Sequence, residues 1–194
     1  MNYSVLTVVL LGLVICLASA MAGIKSPTAC SMLSEKDALE LVGGPLGEVF
    51  KNEENPSKEN GYDHNTVCGF FPKGYNIQKA DRPPERGLQL QLHAMRNAVD
   101  AKNFYDNSLS TAQVMSKMPG NPYTGAAITP LKGMGQAAFL RVCKIEPEPG
   151  SSYQIAILIF LKGNVMGQLT AWKKAAAVEE IAKSAAKQVI SRLL

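Results

Sequence analysis

The chain is predicted to fold as an α+β domain, a mainly antiparallel sheet packed with N-terminal, middle and C-terminal helices. Three observations predict it. From Gly87 to Met95, Leu88, Leu90 and Leu92 alternate with Gln89, Gln91 and His93. That period of two marks a strand with one buried and one wet face. Three strand-like runs, Gln136–Ile145, Tyr153–Leu161 and Val165–Ala171, then follow without a helix between them. Finally, Lys174–Leu193 carries Val178, Ile181, Ala182, Ala185, Val189 and Leu193 at helical spacing. Strand runs joined by hairpins argue for antiparallel pairing.

Met1–Ile24 contains no charged side chain, and Val5–Leu17 is almost unbroken apolar sequence. Small-residue sites follow at Ala18-Ser19-Ala20 and Ala20-Met21-Ala22. Residues 1–22 read as a secretory signal peptide, too short in its apolar run for a membrane span. Cleavage after Ala20 or after Ala22 fits equally. With no Lys or Arg before Val5, retention as an N-terminal anchor stays open. Ile15 precedes Cys16 where lipid attachment needs a small residue, so no lipid anchor is expected. Residues 23–194 are then a single exported domain, periplasmic or secreted, of about 170 residues, enough for one sizeable core.

Within it, Ser34 and Asp37 have capping-box spacing ahead of Ala38, Leu41 and Val42, and Gly43-Gly44-Pro45 stops that helix. A strand is expected at Leu46–Phe50, an exposed loop at Lys51–Thr66, and a strand at Val67–Phe71 closed by Pro72-Lys73-Gly74. After the Gly87–Met95 strand, two helical pieces are predicted, Asn97–Tyr105 and Thr111–Met118, with Ser110 and Gln113 capping the second. Asn121–Gly135 reads as a long connection, Glu146–Ser152 as a turn, and Lys162-Gly163-Asn164 as a tight hairpin. Glu179 and Lys183 form a favourably oriented pair one helical turn apart. The order hints at a weak internal duplication, each half being a few strands closed by a helix.

The net charge of +4 is modest and its basic residues are mixed with acids, which argues against a nucleic-acid partner. Past the leader, Cys30, Cys68 and Cys143 permit one disulfide and one spare thiol. Cys30–Cys68 is the preferred pair and Cys68–Cys143 the alternative. No catalytic residues are identifiable: His64 and His93 are the only histidines, and no G-x-S-x-G elbow is present. His93 with Met95, and Met115 with Met118, have soft ligand types that suit copper(I), but methionines at such spacing are more often core filler. No metal or other cofactor is expected. Gly133-Met134-Gly135-Gln136-Ala137-Ala138 has the letters of a nucleotide loop, yet a strand follows it instead of the helix that phosphate binding needs. Those glycines read as a bend into the sheet. Tyr62, Phe70, Phe71, Tyr75, Tyr123 and Trp172 lie mostly near turns, where one or two can line a groove.

Cys30-Ser31-Met32-Leu33-Ser34, the Val42-Gly43 helix end, Val67-Cys68-Gly69-Phe70, the Gly133–Ala138 turn and the final amphipathic helix together resemble a class of uncharacterised exported bacterial domains. These occur among small lipoproteins and periplasmic proteins. The resemblance implies a Cys30–Cys68 bridge and an α+β fold, and no activity or functional residues. The missing lipid-attachment site departs from the lipoprotein members.

The expected function is a non-enzymatic binding or accessory domain of the bacterial envelope, with an envelope protein or a small ligand as partner. One version is an inhibitor or immunity protein presenting the loops Lys51–Thr66 and Asn121–Lys132. The alternative is a periplasmic carrier or sensor of a small molecule or metal. Candidate contacts are His93, Gln89 and Gln91 on the polar strand face, with Tyr123 and Trp172. A concave apolar cavity favours the carrier; a flat or convex surface favours a protein partner.

Overall fold

Two antiparallel meanders meet edge to edge in one seven-stranded sheet. The computed structural model describes residues 27–54, 62–80, 82–120, 125–148, 151–173 and 177–193. The expected leader, residues 1–22, lies outside them, as does Tyr123. Two short helices, α1 (Ala29–Met32) and α2 (Glu35–Val42), precede β1 (Phe50–Glu54), β2 (Tyr62–Phe70) and β3 (Arg86–Met95). Helix α3 (Ala98–Met115) leads to β4 (Ile128–Pro130), β5 (Ala137–Glu148), β6 (Ser151–Lys162) and β7 (Val165–Lys173). Helix α4 (Val178–Arg192) closes the chain, and the strands lie in the order β1-β2-β3-β7-β6-β5-β4. The α+β expectation holds.

Alternation along the strands divides the core in two. Leu88, Leu90, Leu92, Leu140, Leu158, Phe160 and Leu169 point to one face with Cys68 and Phe70, where α1, α2 and α4 cover them. The stripe foreseen on the last helix is buried there from Val178 to Leu193. The opposite face carries Met95, Phe139, Ile155, Ile157, Ile159, Leu161 and Met166, packed against Ala101, Tyr105 and Ala112 of α3. Since β3 is central and β4 lies at the far edge, α3 carries the chain outward across this second face.

Four sequence expectations need correction. The two helical pieces are one helix: Asn97 caps it, its Oδ1 accepting from the amides of Val99 and Asp100 at 2.9 Å. Ser110 lies inside it and caps nothing. The weak helix formers Asn107, Ser108 and Ser110 cost only tenths of a kcal/mol each, less than the buried Tyr105 and Ala112 return. The segment Leu46–Phe50 is not a strand; Leu46 makes a single bridge to Pro72, and the strand begins at Phe50. Accordingly, Lys51–Thr66 is not one loop but contains β1 and the start of β2. Edge strand β1 pairs on one side only, and its exposed Lys51, Asn52 and Glu53 give no apolar alternation to detect. The long connection before β5 likewise holds the edge strand β4, which ends on Pro130.

The N-terminal segment is fastened at several points. Cys30 and Cys68 are joined, their Cα atoms 5.1 Å apart. Ala29 donates its amide to Thr66 Oγ1 at 2.8 Å. Ser34 caps α2, accepting from the Asp37 amide and donating its own to Asp37 Oδ2. From α4, Arg192 donates to both Asp37 oxygens, at 2.7 and 3.1 Å, and to the Met32 carbonyl. The alternative pairing of Cys68 with Cys143 is excluded. Three strands separate β2 from β5, roughly 19 Å at normal spacing, and the two residues face opposite sides of the sheet.

Opening the Cys30–Cys68 bridge with a reductant is expected to lower the unfolding free energy by about 4 kcal/mol, the value for a loop of this length. Urea denaturation with and without dithiothreitol measures it. The Arg192 guanidinium holds the Asp37 carboxyl well below the usual carboxylate range. A depressed folded pKa gives stability that is complete above the unfolded value near 4 and fades as pH falls below it. Asp37→Asn is therefore expected to cost about 1–2 kcal/mol at pH 7. The gap from wild type should narrow below about pH 4.

Candidate functional site

Strand register arranges the second face into rows that cross the sheet. One row runs Leu161, Met166, His93, Asn65, and the next Phe139, Ile159, Gln168, Gln91, Val67. A third runs Arg141, Ile157, Thr170, Gln89, Gly69, and a fourth Cys143, Ile155, Trp172, Gly87. The first row lies under α3. Here His93 is buried and meets the Phe104 ring edge-on, centroids 5.0 Å apart, so its expected wet face is covered. At the other end, Phe71 sits where two glycines leave room. A Cβ on Gly69 or Gly87 would come within 2.6 or 2.8 Å of its ring. Phe71 also packs on Trp172 at 5.6 Å and on Tyr75 at 5.4 Å.

Between α3 and the strands lies a groove of about 420 Å³. Its helix wall is Phe104, Asn107, Ser108, Thr111, Ala112 and Met115; its floor is Phe139, Arg141, Ile157, Ile159 and Gln168. The volume falls within the range of small-molecule sites, and the lining combines six apolar side chains with five polar ones. Ser108 donates to the Phe104 carbonyl at 2.9 Å, fixing its hydroxyl on the helix. Gln91 adjoins the floor through its row neighbour Gln168 and donates to Asn65 Oδ1 at 3.2 Å. A second, smaller hollow of about 260 Å³ lies by Phe50, Phe71, Tyr75 and Ile77.

The predicted contacts are thus distributed along one face. Gln89 and Gln91 are half-buried, His93 is under α3, and Trp172 is half-buried against Phe71. The soft-ligand residues do not share one setting: Met95 is in the core, Met115 lines the groove, and Met118 is half-exposed. No cluster of three His, Cys, Asp or Glu residues suited to a metal occurs among the described residues. The Gly133–Ala138 turn bends the chain into β5. Gly135 has φ +65°, and a Cβ there would strike the Leu161 carbonyl oxygen.

Sequence reasoning missed Arg141 and the polar residues of α3. The one available signal was a charged residue inside the apolar run Ala137–Cys143. The α3 residues gave none, because splitting the helix at Ser110 hid the stripe Phe104, Ser108, Thr111, Met115.

No family model and no curated protein matches this chain. Its fold is similar to that of a solved structure. The extracellular domain of PknH from Mycobacterium tuberculosis superposes with a TM-score of 0.54 at 10% identity. The match covers 88% of this chain and 98% of that one. At that identity the likeness concerns the fold alone. No described helix is long and apolar enough to cross a membrane.

Cys143 is buried on the same face; burial pushes its thiol pKa up, with the Arg141 charge opposing the rise. It is expected to resist iodoacetamide in the native protein and to react fully in denaturant. Mass spectrometry of the peptide carrying Cys143 reads the difference.

Proposed function

We propose that this protein is an exported, non-catalytic binding domain that holds a small, largely apolar molecule in the groove between α3 and the sheet. The observation that carries this reading is the groove itself. It is concave, of ligand size, and walled by Phe104, Ala112, Met115, Phe139, Ile157 and Ile159. Export is supported by the uncharged apolar leader, by the Cys30–Cys68 bridge, and by the extracellular origin of the similar fold. A protein partner docking on the polar face of β3 is less favoured, because α3 lies over His93.

Ala112 is buried where α3 faces the groove, so a larger side chain there fills it. The neutral dye phenylnaphthylamine is expected to bind the wild-type protein with a rise in emission. Ser108→Trp and Ala112→Trp should lower that affinity by about ten-fold or more while circular dichroism stays native. Unchanged dye binding in both folded variants would count against the groove.

A further inference from the structure

The smaller hollow, of about 260 Å³, lies where the entry to β1 meets the loop after β2. Phe50, Phe71 and Tyr75 form its aromatic floor; Phe71 is 3% exposed and backs it, while Phe50 and Tyr75 are half-buried. The chain around these rings is fastened by its own hydrogen bonds. Gly47 donates its amide to the Phe71 carbonyl at 2.8 Å, and Tyr75 donates its amide to the Pro72 carbonyl at 3.0 Å. The Tyr75 hydroxyl donates to the Arg82 carbonyl at 2.9 Å, and Asn76 Oδ1 accepts from the Gln78 amide at 2.9 Å. The rim is polar: Glu48, Lys51, Asn76 and Gln78, all exposed. Among these described lining residues one acid balances one base.

We infer that this hollow takes a pyranose ring of a carbohydrate, with its C–H face against Phe50 and Tyr75 and its hydroxyls on the polar rim. A pyranose has an apolar face whose C–H bonds are polarised by the ring's oxygens, and such hydrogens suit the negative face of an aromatic ring. Each sugar hydroxyl both donates and accepts, and the rim answers both needs. Lys51 and the Asn76 amino group donate, Glu48 accepts, and the Gln78 amide does either. The balanced charge selects against ions, since a carboxylate or phosphate drawn to Lys51 also meets Glu48. A wholly apolar body would strip water from the rim and replace none of its hydrogen bonds. The volume, below the usual range for drug-sized ligands, holds one such ring. No lining residue is shared with the groove beside α3, so the two sites stand or fall separately.

Trp172, the only tryptophan, packs on Phe71 at 5.6 Å and so reports on the floor of the hollow. Titration of the purified protein with methyl β-glucopyranoside, whose ring substituents are all equatorial, is expected to shift Trp172 emission with millimolar affinity. Sorbitol has the hydroxyls without the ring face, and cyclohexanol has the ring without the rim of hydroxyls. Each should bind roughly ten-fold or more weakly than the glucoside. Phe50→Ala, at a half-buried position, and Gln78→Ala, at an exposed one, should each weaken the glucoside by about five-fold or more while circular dichroism stays native. Absence of glucoside binding by both emission and calorimetry overturns the inference. Equal binding of sorbitol or cyclohexanol overturns it too, as does full affinity in both folded variants.

Discussion

The register between β3 and β7 holds the molecule together, since it is the seam where the two meanders become one sheet. Leu88, Leu90 and Leu92 stand opposite Ala171, Leu169 and Gly167. A slip of one residue would turn Gln89, Gln91 and His93 toward the three-helix core and expose the leucines. Close packing fixes the same seam from above. Phe160 lies across Gly167, where an added Cβ would be 2.1 Å from the ring, and α4 meets the sheet through the small Ala182, Ala185 and Ala186. The first face is thereby sealed, and what the protein offers to other molecules is left to the second.

That second face is open because the two halves are not symmetric. Each half runs strands and then a helix, as an internal duplication would. Yet a two-fold axis between antiparallel neighbours stands perpendicular to the sheet and would place both helices on one side. Here α4 returns over the first face and α3 crosses the second on its way to β4. One helix cannot cover seven strands. The loop after β2 closes the far end with Phe71, and the groove remains beside α3.

The parts of the fold legible in the sequence were those with strong periodicity or strong punctuation. These were the alternating β3, the Ser34–Asp37 cap, the Gly163-Asn164 hairpin and the buried stripe of α4. The edge strands were not legible: β1 is polar, with Lys51, Asn52 and Glu53 exposed, and β4 is too short to show a period. The site was less legible than the fold. Its contents come from β5, β6, β7 and a helix distant in sequence, and only pairing register brings Arg141, Ile157 and Gln168 alongside Phe104 and Thr111. Local spacing cannot encode that convergence.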